Sequence, residues 1–372
     1  MLDAGVARRA LASLLVAASV AAAAGLALAG GPGARGPVDL PLRTWVARPL
    51  PGRDRAPCPD GCKHMRLGYD PADGRIYVLG GDHSGTGGFL QSGRNELYSY
   101  SIAGNDWRLE QPYCRADGTP QPSGPDEVGF TYDTRRNVFW MLPGYMWRSS
   151  GERCPGAHPV DGRIMTYDPV KKTWRVPAVS PPPRSGVTAS KFVQFDAATD
   201  SLIRFYWDGG WGPTVAIYDI GSDRWSFRSF PGKANLDGQY TAMDPERRQL
   251  YVISPREARL YRYDIARRSL AELGPAPPGA CCETMPVWDT VSRVLLWPYY
   301  ADGEAAVVTL YAYHPDGGGW ERLPSALPDG RPVQGRHAVF DPVQNALLVM
   351  GPKTGSAPVF LFRYGAGADP AR

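Results

Sequence analysis

Apolar and polar positions alternate along this chain in a pattern that comes back six times. An apolar stretch ends on Asp, a polar turn follows, and a second apolar stretch returns. The unit reads "LGYDPADGRIYVLGG" from Leu67, "FTYDTRRNVFWMLPG" from Phe130 and "VQFDAATDSLIRFYW" from Val193. It recurs as "TAMDPERRQLYVIS" from Thr241, "PVWDTVSRVLLWPYY" from Pro286 and "AVFDPVQNALLVMGP" from Ala338. Short apolar runs joined by a turn-forming Asp predict two antiparallel strands, a and b, in each unit.

A second hairpin, of strands c and d, follows each of the first five. Its marker is a Tyr seven positions before a Trp: Tyr100 and Trp107, Tyr167 and Trp174, Tyr218 and Trp225, Tyr313 and Trp320. The fourth unit keeps the spacing with Tyr263 and Leu270. A constant interval predicts a c–d turn of constant length, with both side chains facing a neighbouring sheet. The sixth unit stops after a c strand in "PVFLFRYGAG", with no Trp and no d strand. Near the start, "RTWVARPL" (Arg43 to Leu50) reads as a strand with no hairpin mate, and Trp45 fits the missing marker. The prediction is an all-β, six-bladed β-propeller over residues 43–366, its last blade closed by the N-terminal strand so that no sheet face is left uncovered.

These motifs resemble the kelch-repeat β-propellers, the fold of the central domain of galactose oxidase. The resemblance rests on the doublets Gly80-Gly81 and Gly209-Gly210, on the order of the strands and on the Tyr/Trp spacing. The second unit has Pro143-Gly144 in place of the doublet, and the fourth and fifth units lack it. Kelch likeness implies the fold and says little about function. It carries no catalytic residue over: the one Tyr-His pair, Tyr313-His314, falls on the marker position and so toward the face away from the long loops. That placement speaks against a copper-radical oxidase.

Composition agrees with many short strands. The chain has 372 residues, 43 Gly, 37 Pro and 11% aromatic residues. The net charge of +4 is spread along the sequence without a Lys/Arg block, so no nucleic-acid partner is expected. Residues 1–29 read as a targeting segment: Arg8-Arg9 precede an apolar run from Ala10 to Ala29, and Ala27-Leu28-Ala29 fits a cleavage site. The same run is nearly long enough to span a bilayer, so a signal-anchor is the second reading and the only expected link to a membrane. Residues 30–42 form a Pro/Gly linker and 367–372 a C-terminal tail. Either reading of the leader places the chain outside the cytoplasm: periplasmic, secreted or membrane-anchored.

Propeller geometry puts the d–a and b–c connections on one face and the short turns on the other. Just ahead of the turn aspartates, at one mouth of the axial channel, stand His64, Glu127, Lys191, Gln239, Glu283, Arg336 and His337. This ring is either a hydrated mouth or a pocket, in which His64, Glu127 and Glu283 are the acid/base candidates. The same face carries long loops with Asp82 and His83, then Tyr145 and Trp147, and shorter ones with Trp207, Trp211 and Tyr299. Flat rings beside acids suit sugars; the alternative is that they pack the loops onto the blades. All six cysteines also fall here. Cys114–Cys154 is the most natural disulfide, Cys58–Cys62 is a local candidate, and Cys281-Cys282 would need a strained vicinal bridge or other partners. No cofactor is expected. Copper or another metal would rest on His64, His83, Glu127, Glu283 or His337, or on the thiols of "CPDGCKH". No nucleophile elbow, phosphate loop, HExxH or dinucleotide fingerprint occurs. The leading expectation is a non-catalytic module that binds a glycan or an envelope or extracellular protein. The rival is a carbohydrate-active enzyme (lyase, epimerase, hydrolase or metal-dependent oxidase) at the channel mouth.

Overall fold

The computed structural model describes residues 38–49, 65–79, 96–112, 119–123, 128–142, 157–159, 164–179, 192–207, 213–230, 240–254, 257–277, 285–300, 307–350 and 358–366. After β1 (Trp45–Arg48), the first unit folds into β2 (Arg66–Asp70), β3 (Arg75–Leu79), β4 (Leu97–Ser101) and β5 (Asp106–Gln111). β6 (Gln121–Ser123) lies in the following connection. The second unit supplies β7 (Gly129–Asp133), β8 (Val138–Leu142), β10 (Met165–Asp168) and β11 (Thr173–Arg175), with β9 (Ala157–Pro159) between β8 and β10. The third is β12 (Val193–Asp196), β13 (Ser201–Trp207), β14 (Pro213–Asp219) and β15 (Arg224–Ser229). The fourth is β16 (Thr241–Asp244), β17 (Gln249–Ser254), β18 (Arg259–Asp264) and β19 (Ser269–Pro275). The fifth is β20 (Val287–Asp289), β21 (Val294–Tyr300), β22 (Val308–His314) and β23 (Gly319–Arg322), and the sixth is β24 (His337–Asp341), β25 (Ala346–Met350) and β26 (Val359–Phe362).

Each unit is one antiparallel four-stranded sheet, and the sixth is completed by β1 in the order β1-β26-β25-β24. The predicted closure is therefore real: Trp45 stands opposite Phe362 and Ala47 opposite Phe360. Trp45 is 1% exposed, and its indole Nε1 donates to the Pro324 carbonyl at 2.6 Å. Behind the strand, the Arg363 guanidinium donates to the carbonyls of Val38, Leu40 and Gln344, while the Val38 amide donates to Gln344 Oε1 at 2.8 Å. Both ends of the chain's ring are thus fastened at one corner of blade 6.

The marker pairs face each other across c and d in register: Tyr100 and Trp107, Tyr167 and Trp174, Tyr218 and Trp225, Tyr263 and Leu270, Tyr313 and Trp320. Their rings fill the space between blades. Tyr100 and Trp107 of blade 1 pack with Leu348 and Leu361 of blade 6; Tyr167 and Trp174 of blade 2 pack with Tyr77 and Leu79 of blade 1. The same holds around the ring, and Trp45 and Phe362 complete it against Leu296 and Leu310 of blade 5. Burial of each large ring contributes about 4–6 kcal/mol by area.

The turns are as regular as the spacing predicts. Four residues join a to b in all six blades, and four join c to d in blades 1 to 5. The last residue of each a–b turn has positive φ, from 47° at Asn345 to 67° at Gly74. Only Gly takes this conformation freely, yet Arg248 and Arg293 also occupy it. Their side chains then reach acids of the preceding blade, Arg248 to Asp196 at 2.6 Å and Arg293 to Glu246. One feature lies outside the repeat: β6 and β9 form a parallel two-stranded ribbon, with Gln121 opposite Ala157.

Candidate functional site

The six turn aspartates, Asp70, Asp133, Asp196, Asp244, Asp289 and Asp341, are at most 1% exposed. Five of them cap their own turn through Oδ1, as Asp341 does for the amides of Val343 and Gln344, both at 3.0 Å. Burial pushes the Asp341 carboxyl up to about 6, and burial with the adjacent Asp70 charge does the same for Asp73. Tyr69 of blade 1 points its hydroxyl toward Asp341 of blade 6, and Tyr132 of blade 2 points toward Asp70 of blade 1. Elsewhere on this face arginines make the links: Arg136 to Asp200 at 2.6 Å, Arg248 to Asp196, and Arg247 to Asp316 at 2.8 Å. The aspartates at the short-turn end are spent on structure.

The opposite end carries the long connections. Four sequence candidates fall in described residues there. Arg336 is 8% exposed and lays its guanidinium 5.1 Å from the ring centre of Tyr300, so a side chain of blade 6 meets one of blade 5. Its neighbour His337 is 0% exposed and stands opposite Met350. Tyr299 is half-buried against Trp297, ring centres 5.5 Å apart, and serves packing between blades 4 and 5. Trp207 ends β13 opposite Pro213. His64, Asp82, His83, Glu127, Tyr145, Trp147, Lys191, Trp211, Gln239 and Glu283 lie outside the described residues, as do Cys58, Cys62, Cys114, Cys154, Cys281 and Cys282. So does the apolar run from Ala10 to Ala29; among the described residues no helix is long and apolar enough to cross a membrane. Among the described residues no group of three His, Cys, Asp or Glu side chains is placed to hold a metal. His314 sits at the short-turn end, as its marker position predicted, where Nε2 lies 3.1 Å from the Tyr364 hydroxyl.

Between the two ends runs an axial channel of about 380 Å³, lined by residues of all six a strands. Its wall is mostly apolar and aromatic, including Phe195, Met243, Trp288 and Phe340. Sequence reasoning looked for polar groups at the mouth and passed over this wall. The signal was present: the residue before each turn aspartate is Tyr69, Tyr132, Phe195, Met243, Trp288 or Phe340. One side of the ring needs a special fit, because a Cβ on Gly68 would lie 2.7 Å from Phe139 Cε1. That ring stacks on Phe130 at 4.7 Å and 7°.

No family model and no curated protein matches the chain. By shape it matches 816 solved chains, a breadth that bars reading function from the fold. One of them is the crystal structure of TolB from Acinetobacter baumannii, 12% identical, with a TM-score of 0.46, covering 72% of this chain and 56% of that one. The chain thus spans little more than half the length of that relative. The class of protein defined here is the six-bladed β-propeller. The kelch likeness stays a resemblance carried by its sequence motifs.

Proposed function

We propose that the chain is an exported, kelch-type propeller that serves as a binding or scaffold module, taking a glycan or an envelope or extracellular protein on its d–a/b–c face. The observation that carries this reading is the contrast between the two ends. Every short-turn connection is four residues, and several are tied to a neighbouring blade, as Arg136 is to Asp200 and Arg248 to Asp196, whereas the other end carries connections as long as 80–96 and 143–164. Long loops on a rigid base are where propellers and other scaffolds place recognition. The base is firm: the wholly described connection 323–336 is pinned through buried Leu327 and Val333. Trp147, Trp207 and Trp211 belong to this face by chain position, and their flat rings suit the C–H faces of sugars.

Export rests on the leader-like residues 1–29 and on six cysteines. The β6–β9 ribbon supports a Cys114–Cys154 bridge, since it joins the two connections that contain them. The test is a glycan array, with a cross-linking pull-down from envelope extract beside it, on the mature domain and on Trp147→Ala, Trp207→Ala and Trp211→Ala. At least one variant should bind ten times more weakly. Equal binding by all three removes this face from the reading.

A further inference from the structure

We propose a second site, inside the axial channel, for a neutral apolar molecule of about two aromatic rings. The channel holds about 380 Å³. That is within the range of small-molecule pockets, and an apolar cavity of about 150 Å³ already takes benzene. Its wall includes, from every blade, the side chain at one repeated position of the fold, the residue before each turn aspartate. Phe195, Met243, Trp288 and Phe340 therefore ring the axis at a common depth, and Tyr69 and Tyr132 complete the circle.

Among the described residues of this wall Arg66 is the one charged side chain, and its guanidinium donates to the carbonyls of Val128 at 2.8 Å and Met65 at 2.6 Å. The turn aspartates do not line the channel: Asp70, Asp244, Asp289 and Asp341 turn their carboxylates onto backbone amides of their own turns. Among the described residues no carboxylate lines the channel. The polar groups that can hold water in the lumen are the backbone edges of the a strands, each an edge strand of its sheet, and the side chains of Thr131, Gln194 and Thr241. An apolar guest gains by covering the aromatic side chains and releasing the water over them.

The wall is also rigid. Trp288 stacks on Tyr251 with ring centres 5.4 Å apart and planes 7° from parallel, and every lining strand is hydrogen-bonded into its own four-stranded sheet. A preformed cavity spares the guest the cost of ordering its host. This site is separate from the loop face, and its ligand class is different.

N-phenyl-1-naphthylamine, neutral and fluorescent in apolar surroundings, is a direct probe for the full chain. Expected is one-to-one binding with energy transfer from tryptophan, with the dissociation constant raised at least tenfold in Val339→Trp and in Met243→Trp, which fill the lumen from different blades. Trp288→Phe should retain binding and lose a large part of the transfer, a readout that does not depend on the filled variants folding. Trp211→Ala should change neither, so failure here and failure of the loop-face reading are distinguishable. No binding, binding unchanged by both filled variants, or transfer unchanged in Trp288→Phe each overturns the channel site.

Discussion

Asp341 shows how one residue type can serve an entire ring. Its Oδ1 closes the a–b turn, and burial lifts its carboxyl to about 6. A folded-state value above the unfolded one means that the native state takes up the proton first. The contribution of Asp341 and Asp73 to stability is therefore fully present below about pH 4 and is lost as pH rises through about 6. Asp200 works the other way: Arg136 holds its carboxyl below the ordinary range, so its contribution is present above about pH 4 and fades under more acid conditions. The melting temperature should rise between pH 7.5 and 5 and fall below 4, and Asp341→Asn, which keeps the Oδ1 acceptor, should flatten the rise. Calorimetric melts across that range decide; a flat wild-type profile would discard the assignment. Gly68 offers a sharper residue-scale check. Adding a methyl group there drives it into the stacked Phe139 ring, so Gly68→Ala should cost about 1–3 kcal/mol in urea unfolding. A neutral result would mean that the interface between blades 1 and 2 is loose.

Among the elements, β1 has the largest consequence for its length. Its four residues supply the outer strand of blade 6 and place Trp45 among side chains of blades 5 and 6. Trp45→Ala removes a fully buried ring and the bond to Pro324, and should lower stability by about 3–5 kcal/mol. Arg363→Ala, which loses the ties to Val38 and Leu40, should release the segment before β1 to faster amide hydrogen exchange than in the wild type. Unchanged exchange would assign the fastening to the strand alone. The closure was legible in the sequence because a spacing can be counted: Tyr seven before Trp recurs in four units, the fourth unit keeps the interval with Leu270, and the sixth lacks its partner. The β6–β9 ribbon was not legible, since each strand has three residues and includes a Pro, too short for any period. The bulge between Leu260 and Tyr261 left no mark either, because a register shift in one strand does not change the turn spacing that defines the repeat.

At the scale of the whole molecule, the division into a stitched end and an end of long connections followed from topology, but the partner did not. Loop chemistry is set by individual side chains rather than by the repeat, so Trp147 or Trp211 could be placed on a face without being given a role. The pairing of Arg336 with Tyr300 likewise depends on a neighbouring blade. Disulfide mapping under non-reducing conditions is the global check on compartment and loop pairing. Peptides carrying Cys114 and Cys154 should stay linked until reduced, and free thiols at both positions in protein prepared from the native compartment would contradict export into an oxidising space.

The corner where Val38 meets Gln344 and Asn345 Nδ2 meets the Gly365 carbonyl has a practical outcome. Val38 and Gly365 lie side by side there, at the short-turn end of the disc. A bead, a dye or a lipid anchor attached next to Val38 or Gly365 would hold the molecule like a dish on its stem, with the end of long connections turned toward whatever passes by.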